Sequence, residues 1–148
     1  MANTRTQIEV EDWVRQEWMP GTFGQTFHSE RLRLSSGGVF EFDAVSSDRT
    51  VAVSISTSAA TTAGGKSAAG KLMKLRADML FLLLAQVDRR LIVLTERDMY
   101  ERCLQEVQAG RVPQSIEFHL AQIPDELAAK LGTARQEASR EGSPGRSR

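Results

Sequence analysis

Two stretches of this 148-residue sequence carry side chains able to act on phosphate. In "FEFDAV", Glu41 and Asp43 stand two residues apart in a run of strand-forming residues. Side chains alternate along a strand, so the two carboxylates share one face and Phe40 and Phe42 share the other. Further along, "ATTAGGKS" (60–67) comes one glycine short of the G-x-x-x-x-G-K-[ST] loop that cradles nucleotide phosphates. Lys66 and Ser67 occupy the lysine and hydroxyl positions, but Ala60 stands where the first glycine belongs and lacks its positive-φ freedom. The chain also has no convincing apolar strand ending in Asp to complete a magnesium site. A nucleotide-binding loop is therefore the minor reading.

The charge distribution points the same way as the carboxylates. Net charge is zero, but residues 44–95 hold seven basic and three acidic side chains, a local excess of +4 that is densest from Lys66 to Arg76. Lys66, Lys71, Lys74 and Arg76, with the hydroxyls of Ser54 and Ser56 on the preceding strand, are the candidates for contact with a phosphodiester backbone. Lys71 and Lys74 share a helix face, and Asp78 is placed four residues on to pair with Lys74. Cys103 is the single cysteine, which excludes an internal disulfide and a cysteine-rich zinc site; its position on an amphipathic helix suits the core. His28 and His119 lack ligand spacing and read as partly buried strand residues, and Trp13 and Trp18 as packing residues of a first helix. The longest apolar run, Met79–Ala85, is too short to span a bilayer, and no apolar signal core opens the sequence. The expected compartment is the cytoplasm.

The elements that carry these residues follow from periodicity and turn signals. Residues 1–6 read as a disordered start. A helix precedes Pro20-Gly21. "RLRL" closes an extended stretch from Phe23 to Leu34, Ser35-Ser36-Gly37-Gly38 makes a turn, and strands follow at 39–45 and 50–56. The short turns predict a three-stranded antiparallel meander. Residues 57–66 are a small-residue loop, and a helix runs from about Ser67 to Val87. Its second half, "MLFLLLA", is apolar all round and is expected to be buried. "RLIVLT" (90–95) is a solidly apolar strand. Thr95 is placed to cap a helix to about Ala109, with Asp98 completing a capping-box-like arrangement. Residues 115–123 form a strand, a short helix ends at Leu131, and residues 132–148 have the composition of a disordered tail. The prediction is one domain over residues 7–131, an α/β fold with a mixed central sheet and flanking helices: an αβββαβ core plus a C-terminal α-β-α extension.

That order, with Asp43 on the second strand, resembles the PD-(D/E)XK nuclease superfamily, the restriction-endonuclease-like fold, over roughly Ile8–Thr95. The resemblance implies nucleic acid, DNA above all, as the partner, Mg2+ as the cofactor of an active enzyme, and a homodimer or protein partner. It also implies Asp43 as a metal ligand, an acid near Ser54 and a catalytic lysine near Ser56. The sequence there is "VSIS", so hydroxyls stand at two of the three defining positions. Two readings follow. In one, Glu41 joins Asp43 as the second metal-binding carboxylate, a helical acid such as Glu11 or Glu17 supplies a third, and Lys66, Lys71 or Lys74 replaces the missing lysine as a catalytic group. In the other, the domain is catalytically inactive and has kept nucleic-acid binding or protein interaction alone.

Overall fold

Five strands lie side by side in chain order: β1 (Phe27–Arg33), β2 (Val39–Ser46), β3 (Val51–Ser56), β4 (Arg89–Leu94) and β5 (Ile116–Leu120). The computed structural model describes residues 2–61 and 69–141, with the backbone alone at 2–4 and 138–141. β1–β2 and β2–β3 pair antiparallel, as short turns require; β3–β4 and β4–β5 pair parallel, because each junction is crossed by a helix. The result is the α/β mixed sheet that the sequence predicts. The turn between β2 and β3 is held by Asp48, whose carboxylate accepts the hydroxyls of Ser46 and Thr50, both at 2.7 Å, and the Thr50 amide. These bonds, Ser46 foremost, pull the Asp48 carboxyl down to about 2.

Helices cover both faces. On one face lie α1 (Ala2–Trp13), a π-turned continuation over Val14–Trp18, the short α2 (Met19–Phe23) and α5 (Asp125–Glu141). Val10, Val14, Leu127 and Leu131 from these helices bury against Val53, Ile55, Leu91 and Val93 of the sheet, with Trp13 and Trp18 packed alongside as expected. The other face carries α3 (Ala69–Leu84) and α4 (Arg97–Gln108). Leu75, Met79 and Leu82 of α3 and Met99 and Cys103 of α4 meet Phe42, Val45, Ala52, Ile92 and Leu94 there. Burial pushes the Cys103 thiol up to about 11, so it is inert at neutral pH.

Several boundaries differ from expectation. The N-terminal helix begins at Ala2, inside the stretch predicted to be a disordered start. α5 continues past Gly132 to Glu141, because Leu127, Leu131 and Ala134 form a buried stripe at helical spacing. α3 is apolar all round in its second half, yet Leu80 and Leu83 are exposed; the sheet takes only one face of the helix. Thr95 does not cap α4: Glu96 holds that position without a side-chain bond, and Asp98 instead accepts the Ala60 amide at 3.1 Å. No helix among the described residues is long and apolar enough to cross a membrane.

Candidate active site

The site sits where β2 and β3 part. Their register pairs Ala44 with Val53 and Val45 with Ala52 and extends no further toward the end of β3. β2 is bulged at the same place. Val45 lies opposite His28 and Phe42 opposite Glu30, so two residues of β2, Asp43 and Ala44, face the single Ser29 of β1. Phe42 and Val45, three apart, consequently face the same core, while Ala44 faces the other. The bulge leaves Asp43 at the gap between the strands. Its Oδ2 accepts the Ile55 N–H at 2.8 Å, supplying the acceptor that β2 no longer offers.

α1 delivers the second carboxylate. Glu11 and Arg15 are one turn apart and share a face. The Arg15 side chain, 15% exposed, donates from Nε to the Asp43 carbonyl at 2.6 Å and from Nη1 to Asp12 Oδ1 at 2.7 Å. Burial, and then the charge of Asp43, push the Glu11 carboxyl up to about 7; Arg15 and Lys74 pull in the opposite direction. Burial likewise raises Asp43, against the Ile55 amide, Lys74 and Arg15. From the other side of the sheet, α3 contributes Lys74, paired with Asp78 at 3.3 Å as its spacing predicts. The Lys74 side chain is 72% exposed and that of Asp78 only 14%, so the carboxylate is the fixed member and the ammonium the one free to reach. Asp78 is raised by burial and lowered by Lys74.

Glu11, Asp43 and Lys74 therefore lie within one electrostatic neighbourhood, brought there by three different elements. Two partly desolvated carboxylates, with the Asp43 charge raising Glu11, suit a divalent cation, which would stabilise both charges. Among the described residues no group of three or more His, Cys, Asp or Glu converges. A two-carboxylate donor set still fits magnesium, which keeps much of its water and is commonly held by one or two carboxylates with substrate phosphate completing the shell.

The structure distributes the other candidates differently. Glu41 stays at the rim: it is largely exposed, accepts the Ser29 hydroxyl at 3.1 Å and faces Arg31 at 3.8 Å, and it reaches Asp43 through charge alone. Ser54 and Ser56 do not share its face. The bulge flips β2 relative to β3, which sets Ser54 with Ala52 on the α3 side while Val53 and Ile55 point toward α1. Lys71 is exposed, and Lys66 lies outside the described residues, as does most of the nucleotide-loop motif. Arg76 is engaged elsewhere. With Arg111 and Arg102 it surrounds the buried Glu106 of α4, at 2.8, 2.7 and 3.6 Å respectively. Glu17 is exposed. His28 is exposed rather than partly buried, and His119 packs by Trp18 and Phe23 beside Glu117. Arg15 is the site residue that sequence reasoning passes over; its sequence signals are the i,i+4 relation to Glu11 and the i,i+3 relation to Asp12.

Comparisons with protein-family models, curated proteins and solved structures find no significant match for this chain.

Proposed function

We propose that this chain is a magnesium-dependent DNA endonuclease domain of the restriction-endonuclease-like type, with its catalytic lysine on α3 instead of β3. The observation that carries the reading is the Asp43 carboxylate held by the Ile55 amide at the opening between β2 and β3, within the electrostatic reach of Glu11 and Lys74. Glu11 and Asp43 would hold the metal, which supplies Lewis-acid activation of a phosphodiester and of the attacking water. Lys74, extending from Asp78, places a positive charge where a scissile phosphate would bring a negative one. Asp43 is held in position from two directions, by Arg15 on its carbonyl and by Ile55 on its carboxylate. The test is incubation of the purified full chain with supercoiled, linear and single-stranded DNA in Mg2+ or Mn2+. Metal-dependent cleavage abolished by Asp43→Ala supports the proposal; no nicking of any substrate by the metal-loaded wild type sinks it.

A second reading has its own observation. Ser54 and Ser56 stand on β3 where an acid and a lysine belong, and no third carboxylate joins the pair among the described residues. A domain of this kind would bind nucleic acid without cutting it. Its signature is salt-sensitive DNA binding, weakened by Lys71→Ala and Lys74→Ala, with no cleavage; affinity that ignores ionic strength would exclude phosphate contacts.

A further inference from the structure

We infer that Arg15 is a positioning residue of this site, fixing the Asp43 peptide so that its carboxylate stays in the gap between β2 and β3. The inference rests on the nuclease reading for its consequence but not for its geometry. Three observations carry it.

The first is the pair of bonds. Arg15 spans α1 and β2, with one nitrogen on the Asp43 carbonyl and another on Asp12 Oδ1. A guanidinium offers donors in a planar fork, so a single side chain can satisfy both acceptors and thereby set the distance between helix and strand. The second is the backbone around it. Arg15 lies in the π-turned segment, where the Met19 amide bonds back to the Val14 carbonyl. π-turns recur at functional sites. This one keeps Val14 fully buried while its neighbour Arg15 faces Asp43. The third is that Asp43 has lost its ladder. Beyond Ala44 no residue of β2 is in register with β3, so the peptide of Asp43 has no strand partner on that side to hold it. The Arg15 bond takes the carbonyl, and the Ile55 bond takes the carboxylate. Losing the first frees the Asp43 peptide to rotate and weakens the second.

The groups around this contact are Glu11 and Asp12 on α1, Glu41 on β2, and Lys74 and Asp78 across the gap on α3. None of the others donates to the Asp43 carbonyl among the described residues.

The experiment uses the full chain without metal or DNA. Amide hydrogen exchange is followed at Ile55 and at Ile92, a fully buried residue of β4 that reports global opening. In Arg15→Gln, the Ile55 amide is expected to exchange about tenfold faster while Ile92 is unchanged, the size of effect that loss of one charge-assisted bond gives. Equal acceleration at both amides would reduce Arg15 to a general structural residue, and no acceleration at either would remove it from the site; both overturn the inference. Arg15→Lys keeps the charge without the planar fork. It should also expose Ile55, and full protection in that variant would show that charge, not geometry, is what matters. With cleavage measured in parallel at saturating metal, Arg15→Gln should lower kcat more than it changes KM. If the wild type cuts nothing while the exchange pattern holds, the nuclease reading fails and the positioning of Asp43 by Arg15 stands.

Discussion

The Asp43 carboxylate accepts the Ile55 N–H at 2.8 Å, at a point where the β2–β3 ladder has already ended. A candidate metal-binding acid thus also caps a strand amide. The two roles separate by substitution. Asp43→Ala leaves the amide without its acceptor, a loss of about 1–3 kcal/mol. Asp43→Asn keeps a neutral oxygen that can accept the same bond and removes a charge that burial disfavours. At pH 8 the expected order of stability in urea denaturation is Asn equal to or above wild type, with Ala below both. Equal midpoints for Ala and Asn would show that the bond contributes nothing. Both variants should lack metal-dependent cleavage.

Glu11 gives the fold a pH dependence of predictable sign. Its carboxyl is raised from the ordinary 4.5 to about 7. Between those values the folded chain keeps a proton that the unfolded chain has lost, so stability falls as pH rises from about 4.5 to about 7 and stays at the lower level above. Solvent screening at a half-exposed side chain limits the contribution to about 1 kcal/mol. Asp43 and Asp78 are shifted in the same direction, so the informative quantity is the difference between wild type and Glu11→Gln across pH 5–8. The variant should gain stability relative to wild type as pH rises. A constant difference would mean that Glu11 titrates normally.

Magnesium should act in the opposite sense. If Glu11 and Asp43 hold the ion together, its binding competes with their protons and strengthens as pH rises through 7. The melting temperature of the wild type should rise on adding millimolar Mg2+ by more at pH 8 than at pH 6, and Glu11→Gln should abolish that increment. An equal increment in the variant would remove Glu11 from the donor set.

Lys74 is expected to matter through its charge and its reach. Lys74→Ala should lower cleavage about 100-fold or more, the usual scale for one preorganised electrostatic group. Lys74→Arg should recover part of the loss. The ion pair with Asp78, exposed at its Lys74 end, is worth about 0.3–0.5 kcal/mol, so stability should barely change. Cleavage by Lys74→Ala at the wild-type rate would return the search for the catalytic cation to Lys66 and Lys71.

Glu106 tests the ion cluster that joins α4 to α3. Arg111 first, then Arg76, hold its carboxyl down to about 2. Its contribution to stability is present in full above the ordinary 4.5 and is lost as pH falls through about 2. Glu106→Gln should therefore be less stable than wild type at pH 7, with the two curves converging toward pH 2. Acid unfolding followed by circular dichroism measures this directly; parallel curves would show that the guanidiniums contribute no specific stabilisation.

Local chemistry determined much of this protein. Strand alternation in "FEFDAV", turn residues at 35–38 and 46–49, and the apolar run of β4 were sufficient to predict a mixed sheet with helices on both faces, because each depends on neighbours close in sequence. The Lys74–Asp78 pair was legible for the same reason. Strand alternation alone would have kept Glu41 with Asp43 at the centre. It could not register the bulge, since a single extra residue in β2 exists only relative to β1, and that residue turns Ser54 and Ser56 away from Glu41. Nor could it bring Glu11, 32 positions before Asp43 in the sequence, within the electrostatic reach of that carboxylate. That approach requires α1 to pack across the sheet and Arg15 to bridge to the Asp43 carbonyl. The sequence determined which groups could do chemistry; the tertiary structure decided which of them meet, because burial and long-range packing, rather than spacing along the chain, set the distances and the charges at the gap between β2 and β3.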